Sequence, residues 1–354
     1  MNGMRLGWLA AAALLAVSAV PARAEEPGGG PTEQTPTVEG RGRHWKVDGD
    51  GDISADSQAL TVRLQARDLF QSPFFLSGRG MVGQRRQRDY DLYRWGEEFG
   101  AGWALDAKTD LLATYRLENF STRNLSPDAD PAFRDVGGSS TVGELGLSLN
   151  YDGRDEPYYA TSGSRTRLTG DLAVRGWGGD YNFGRLEGDY AVYWTPWKGK
   201  TSGLWEEVTF AEHLRLGWTA PFGSSDEVPF FERYFVGGGS TVRGHRGDWL
   251  SPRRIDDQFI GGEVEFLQNV EARLPVFKGT FRRRLFAAAF FDVGRSYRKF
   301  SDFGDFGYGA GLGLRYVVHF WQVHGVLRFD YGVNLAPEDD DSTSNLHIVF
   351  GSPF

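Results

Sequence analysis

Side chains that ordinarily carry catalysis are thinly spread along these 354 residues. Six histidines, His44, His213, His245, His319, His324 and His347, fall in separate segments, and neither a G-x-S-x-G elbow nor an H-E-x-x-H pair occurs. Cysteine is absent, which removes a thiol nucleophile, a disulfide framework and a cysteine-ligated metal. Asp48, Asp50, Asp52 and Asp56 space acidic oxygens as a calcium loop does, yet Ile53 stands where such a loop needs its tight-turn glycine, and Ala59 where it needs a bidentate glutamate. A solvated acidic turn is the expectation there, with another at Glu338 to Asp341. Gly307, Gly309, Gly311 and Gly313 are spaced by two, the mark of a strand row and not of a phosphate loop opening a helix. A serine and a histidine on distant strands could still assemble a lipid hydrolase. The residues nonetheless read as a non-enzyme, with no cofactor and no metal.

The elements that hold these residues alternate. Glu144 to Tyr151 sets Leu145, Leu147, Leu149 and Tyr151 against Glu144, Gly146, Ser148 and Asn150. Tyr308 to Val318 sets Tyr308, Ala310, Leu312, Leu314, Tyr316 and Val318 against three glycines, Arg315 and Val317. His213 to Ala220 and Val326 to Leu335 behave alike. A soluble sandwich alternates too, but its strands average roughly five or six residues. Here the runs are longer and ionisable residues recur on the non-greasy face, as in a membrane barrel with a wet lumen. Lipid offers the backbone no hydrogen-bond partner, so such a sheet must close on itself. The expected fold is therefore all-β: a closed antiparallel transmembrane β-barrel with no separate soluble domain. Its inner face would carry Arg63, Arg165, Arg167, Arg185, Arg215, Arg315 and Arg328 among Glu144, Asp171, Glu187, Asp189 and Asp330, a mixture that predicts weak ion selectivity.

Both ends of the chain point to export. Arg5, the apolar run Leu6 to Val20 and Ala22-Arg23-Ala24 have the form of a signal peptide over residues 1–24, and 25–39 reads as a flexible periplasmic N-terminus. At the other end Leu346, Ile348, Phe350 and Phe354 share a face, resembling the terminal-strand signal read by the barrel assembly machinery, with Pro353 unusual inside it. Forty-eight glycines and 14% aromatics suit many turns and interfacial rings, and a net charge of −8 argues against nucleic acid as a partner.

Pro229-Phe230-Phe231-Glu232-Arg233 and then Phe235-Val236-Gly237-Gly238-Gly239-Ser240-Thr241-Val242-Arg243-Gly244-His245 resemble the VRGF/Y loop of the BamA, TamA and two-partner-secretion superfamily, with His245 in place of the aromatic. Tyr151-Asp152-Gly153-Arg154-Asp155 through Gly163-Ser164-Arg165 is similar to that family's central turn, and Asn269 to Pro275 and Ala289 to Gly294 to two of its later strands. The resemblance covers about residues 142 to 354. It implies that 232–250 folds into the lumen and that Arg243 pairs there with Glu271 and Asp292, whose alternation turns both carboxylates inward. Gly237, Gly238, Val242, Gly244 and His245 complete the loop motif.

Carried back from Phe354, the pattern sets strands at 345–354, 326–335, 307–318, 284–294, 261–275, 205–220, 183–195, 164–175, 142–152, 111–121, 96–105 and 74–84. Two more at 57–70 and 41–48 make about fourteen, with twelve to sixteen open. The residues between Glu25 and Gly40 are too few for a folded domain, which needs about 40, so the expectation is a barrel over 40–354 without the family's POTRA domains. Its expected partners are outer-membrane lipids and lipopolysaccharide, the assembly machinery during biogenesis, and an unknown solute or polypeptide client. A pore or structural surface protein is the first functional reading. An auxiliary role in insertion or translocation of outer-membrane polypeptides is the second, and a barrel-borne hydrolase the third.

Overall fold

The computed structural model describes residues 37–351 apart from 41–42, 54–56, 68, 87–89, 127–132, 134–137, 201–202, 254–257, 277–284, 321–322 and 338–340. The expected signal peptide, Phe354 and most of the expected flexible N-terminus lie outside the described residues. Among those described, fifteen strands form one antiparallel sheet. They are β1 (Thr37–Gly40), β2 (Arg43–Ile53), β3 (Ser57–Arg67), β4 (Phe74–Arg86), β5 (Asp91–Ala104), β6 (Thr109–Arg123), β7 (Ser140–Asp152) and β8 (Gly163–Ala173). Then follow β9 (Phe183–Trp194), β10 (Thr209–Pro221), β11 (Val264–Pro275), β12 (Leu285–Tyr297), β13 (Gly307–Phe320), β14 (Val323–Asn334) and β15 (Ser344–Gly351). Each strand from β2 onward pairs with the next, and β2 also meets β15 through Ile53 opposite Phe350. β3 holds one edge of β2 along 44–53, so β1, opposite Arg43 to Lys46, lies on the edge that faces β15.

The two faces of the sheet separate as the alternation requires. On β7, Leu145 and Leu147 are 44% and 53% exposed while Glu144 between the walls is 4% exposed. Trp95, Phe99, Trp103, Leu312, Leu346 and Ile348 are likewise exposed on the outside. No second layer covers this greasy belt among the described residues, which is the arrangement of a sheet solvated by lipid and not of a sandwich core. No described helix is long and apolar enough to cross a membrane. The strands do the crossing.

Several expectations are corrected. Asp48, Asp50 and Asp52 share one face of β2 and form no acidic turn; Gly49 and Gly51 between them give the other face no apolar signal there, so the strand period is hidden. β1 turns Thr37 to Gly40 into strand where a flexible segment was expected to run through 39. β5 starts at Asp91, five residues early; there Leu92 turns inward into the apolar cluster, which blurs the contrast between the two faces. Residues 203–207, expected at the start of a strand, form a short 3-10 turn, and β10 begins at Thr209.

At the end of the barrel bearing the long 222–263 connection, the loop end, an apolar cluster of Tyr90, Phe120, Phe133, Phe183, Phe230 and Ile260 sits inside the sheet. At the opposite, turn end, Tyr159 reaches in from the β7–β8 turn and stacks on Phe286, with Val317 and Val326 beneath. The space between is where the charged inner face meets the loop.

Candidate functional site

The connection from β10 to β11 enters the lumen through a short antiparallel bridge between Tyr234 and Gly262, whose amides donate to each other's carbonyls at 2.9 and 2.8 Å. Residues Thr241 to His245 are all buried. Arg243 meets the inner wall at β11 and β12. Its Nε and Nη2 donate to the two carboxylate oxygens of Asp292, each at 2.7 Å, and its backbone amide adds a third bond to the same carboxylate at 3.0 Å. Nη1 donates to Glu271 and, at 3.4 Å, to Asp330. The guanidinium lies 3.6 Å above the centre of the Phe290 ring. The structure thus brings together Arg243, Glu271 and Asp292, and adds Asp330, whose inward orientation was expected but not its place in this group.

The carboxylates are themselves held. Asn269 Nδ2 bridges Asp292 at 2.9 Å and the Thr241 carbonyl at 2.7 Å, while Glu271 also accepts from Arg273 at 2.8 Å and Arg315 at 2.7 Å. Arg243 and both its main partners are 2% exposed or less, so each charge depends on the others for solvation. Burial lowers the affinity of Arg243 for its proton, but Asp292 and Glu271 outweigh that and raise it. Arg243 is a permanent cation.

Close packing explains the glycines. Gly244 has φ +97°, and a Cβ there would meet the Val333 backbone at 2.7 Å. A Cβ on Gly309 would sit 1.8 Å from the Arg243 carbonyl oxygen, so the glycine row of β13 opens the seat for the loop. Gly237 and Gly238 also take positive φ, and the Val242 side chain is fully buried with Val236, Leu250 and Leu267. His245 is held by polar contacts at both ends of its ring: Nδ1 lies 2.7 Å from Asp341 and Nε2 3.2 Å from the Tyr308 carbonyl. Asp341, expected in a solvated turn, has a side chain only 1% exposed because this histidine draws it inward. Gly244 also ties to the last strand, its amide donating to His347 Nε2 at 3.2 Å and its carbonyl accepting from Asn345 at 2.8 Å.

A second attachment had no expectation behind it. Glu232, 7% exposed, accepts from Arg116 of β6 at 3.2 Å and from Arg185 of β9. Arg116 also grips Glu144 of β7 at 2.9 Å and Glu118. Burial pushes the Glu232 carboxyl up, but Arg116 and Arg185 together hold it down at about 2. Next to it Phe231 stacks on Phe120, ring centres 4.0 Å apart, and Phe230 fills the apolar cluster. A third tie joins Asp248 to Arg85 of β4, whose guanidinium lies over Phe235. Glu232 stands in the motif quoted from the sequence, but its partners are two strands whose spacing from it carries no period.

Elsewhere the expected residues are placed as follows. Asp152 and Arg154 pair in the central turn, and Asp155 accepts from Thr161 and Ser162. Leu346 and Ile348 face outward on β15, and Phe350 is the residue opposite β2. Among the described residues no group of histidine and carboxylate side chains is arranged to hold a metal ion.

The chain as a whole is similar to known proteins. The chain is 25% identical over 245 residues to the outer membrane protein assembly factor BamA of Nitratidesulfovibrio vulgaris, covering 68% of this chain but only 28% of that protein. The structure of BamA from Haemophilus ducreyi lacking POTRA domains 1–3 superposes with a TM-score of 0.68 at 18% identity, over 88% of this chain and 64% of that one. CdiB from Escherichia coli gives 0.50 at 14% identity, over 88% of this chain and 56% of that one. The chain therefore spans little more than a quarter of the curated relative. The Omp85 superfamily domain matches residues 40–354, nearly the whole described sheet, and the chain accordingly belongs to the Omp85 superfamily as a bacterial outer-membrane β-barrel.

Proposed function

We propose that this barrel handles polypeptide, adding a client strand at the seam between β2 and β15 while the anchored loop keeps the lumen shut. The observation that carries the reading is uneven pairing. Among the described residues β2 meets β3 over ten residue pairs and β14 meets β15 over eight, whereas β2 meets β15 at Phe350 and Ile53 alone. A strand edge with unmet N–H and C=O groups is a template for another strand, and in lipid each unmet group costs several kcal/mol. β1 lies along that same edge of β2, an example of strand addition within the chain itself. Similarity to a protein named as an outer-membrane assembly factor points the same way.

The absence of cysteine makes a clean test possible. Ile53→Cys with Phe350→Cys would lock the seam on oxidation. In cells that depend on this chain, the oxidised pair is expected to lose outer-membrane protein insertion and regain it with reductant. Full activity of the oxidised pair would remove the reading.

A solute pore is the second reading, favoured by the incompletely buried arginines of β3, β4 and β8. In a planar bilayer the anchored loop predicts a quiet wild type and a conducting variant lacking 232–250. Steady conductance of the wild type, unchanged by the deletion, would favour the pore instead.

A further inference from the structure

The outward face of the sheet is not greasy throughout. On β5 the alternation is strict: Arg94 and Glu98 turn inward to Glu118 and Arg79, while Trp95, Phe99 and Trp103 are exposed on the lipid side. Glu97 falls between Trp95 and Phe99 on that same lipid side, and it is exposed. It stands opposite Gly80 of β4 and Leu117 of β6, with Gly78, Val82, Tyr115 and Asn119 on the diagonals, none of them a cation. Neither a hydrogen bond nor an ion pair reaches its carboxylate among the described residues. Glu212, an outward carboxylate on β10, differs in accepting from Gln268 at 2.7 Å.

The backbone beside Glu97 is bare. Gly78 and Gly80 point outward, and a Cβ at either would meet nothing within 4 Å. Leu64 and Val62 of β3 stand opposite these two glycines on one side, Phe99 and Glu97 on the other. The result is a shallow trough along β4, floored by main chain, walled by apolar side chains and carrying one carboxylate. Hydrocarbon cannot solvate that group, and an ionisable residue facing lipid is rare and costly. Tyr93, where the outer face turns polar towards Asp91 and its partner Asn124, lies about 13 Å away along the strand. That is farther than a glutamate side chain extends, so lipid headgroups beyond the rim do not supply the missing partner.

We propose that the trough between β3 and β5 is a docking surface for a membrane-embedded segment of a second outer-membrane protein, one that brings a lysine or arginine to the level of Glu97. Small residues let two backbones approach closely within a membrane, and a polar pair shut off from water fixes their register. A second copy of this chain does not fit. The arginines that its described side chains turn outward, Arg123 over the Tyr93 ring and Arg295 beside Asp305 at 3.5 Å, are engaged at the loop-end rim. Neither β4 nor β5 borders the seam, so the surface stands whether or not the seam accepts a strand.

The test puts the photo-crosslinker p-benzoylphenylalanine in place of Phe99, which keeps an aromatic ring on the trough wall, and irradiates growing cells that make the full chain. The expected result is one protein adduct whose crosslinked peptide contains a lysine or arginine. Glu97→Gln should reduce it at least tenfold, as should Gly78→Leu with Gly80→Leu, while Glu212→Gln leaves it unchanged. Glu97→Lys should abolish the adduct, and exchanging the partner's cation for glutamate should restore it. A second measurement uses the purified chain in micelles without a partner. There Glu97→Leu should melt no lower than the wild type, because it removes an unpaired carboxyl from the lipid face; a clear fall would assign Glu97 to the barrel's own stability and overturn the surface. Adducts with lipid alone or with a second copy of this chain, a protein adduct indifferent to Glu97, or no adduct at all would overturn it too.

Discussion

Arg243 has to be an arginine. Two of its nitrogens bind Asp292 side by side while a third reaches Glu271 and Asp330, a span that a lysine's point charge cannot cover. Arg243→Ala is expected to cost about 3–5 kcal/mol, the usual penalty for stranding buried partner charges, and Arg243→Lys to recover only part of it. Denaturant unfolding from micelles, or the temperature at which heat-shifted gel mobility is lost, measures both; an unchanged transition would mean that the carboxylates need no cation. Glu232 makes a pH-dependent contribution. Its folded pKa of about 2 lies below the ordinary 4.5 of a glutamate, so its stabilisation is complete above about pH 4.5 and disappears as pH falls towards 2. Wild type and Glu232→Gln should therefore differ in melting temperature at pH 7, with the gap narrowing below about pH 4.5 and closing only towards pH 2, whereas a constant gap would sever the effect from this carboxyl. His245 is a polar tether where the family has an aromatic. His245→Phe should destabilise by about 1–3 kcal/mol, because Asp341 loses a buried partner, and a gain in stability would show that the ring's packing matters more than its nitrogens.

At the scale of strands and loops, much could be read directly. On β7, β13 and β14 lipid faces one side and lumen the other, so each residue's polarity announces its direction. Where that contrast fails, reading fails with it: the glycines of β2 set no apolar signal against its aspartates, and β5 turns Leu92 inward into the apolar cluster. The inward carboxylates of β11 and β12 were legible for the same reason, and the resemblance supplied the arginine that meets them. Glu232 was not legible as an anchor, because its partner Arg116 is 116 residues away and owes its position to the curvature of the whole sheet. The glycines of β13 had a visible period but not a visible purpose, which is to leave room for the Arg243 carbonyl. Gly309→Val should therefore expel the loop tip while leaving β13 paired. A cysteine introduced at Thr241, buried in the wild type, would then label rapidly with a membrane-impermeant thiol reagent, and wild-type labelling rates would show that the wall yields instead.

Across the whole molecule, the lumen has two unlike sides. From β11 to β15 the loop and its carboxylates leave almost no exposed charge, while β3, β4 and β8 keep arginines in contact with water. An average over the lining, which the mixture of signs invites, misses this division. The ties of the loop also have an order in time. Arg243 needs Asp330, and Gly244 needs Asn345 and His347, all made about a hundred residues later. Contacts so far apart in the chain form slowly, and here the nascent loop has no finished berth until the last strand is delivered. Glu271 and Asp292 follow Arg243 by only 28 and 49 residues, but the seat is complete only with β15, so closing the cylinder and stowing the loop become one late event, and a chain truncated before β15 should be stalled with its loop still adrift.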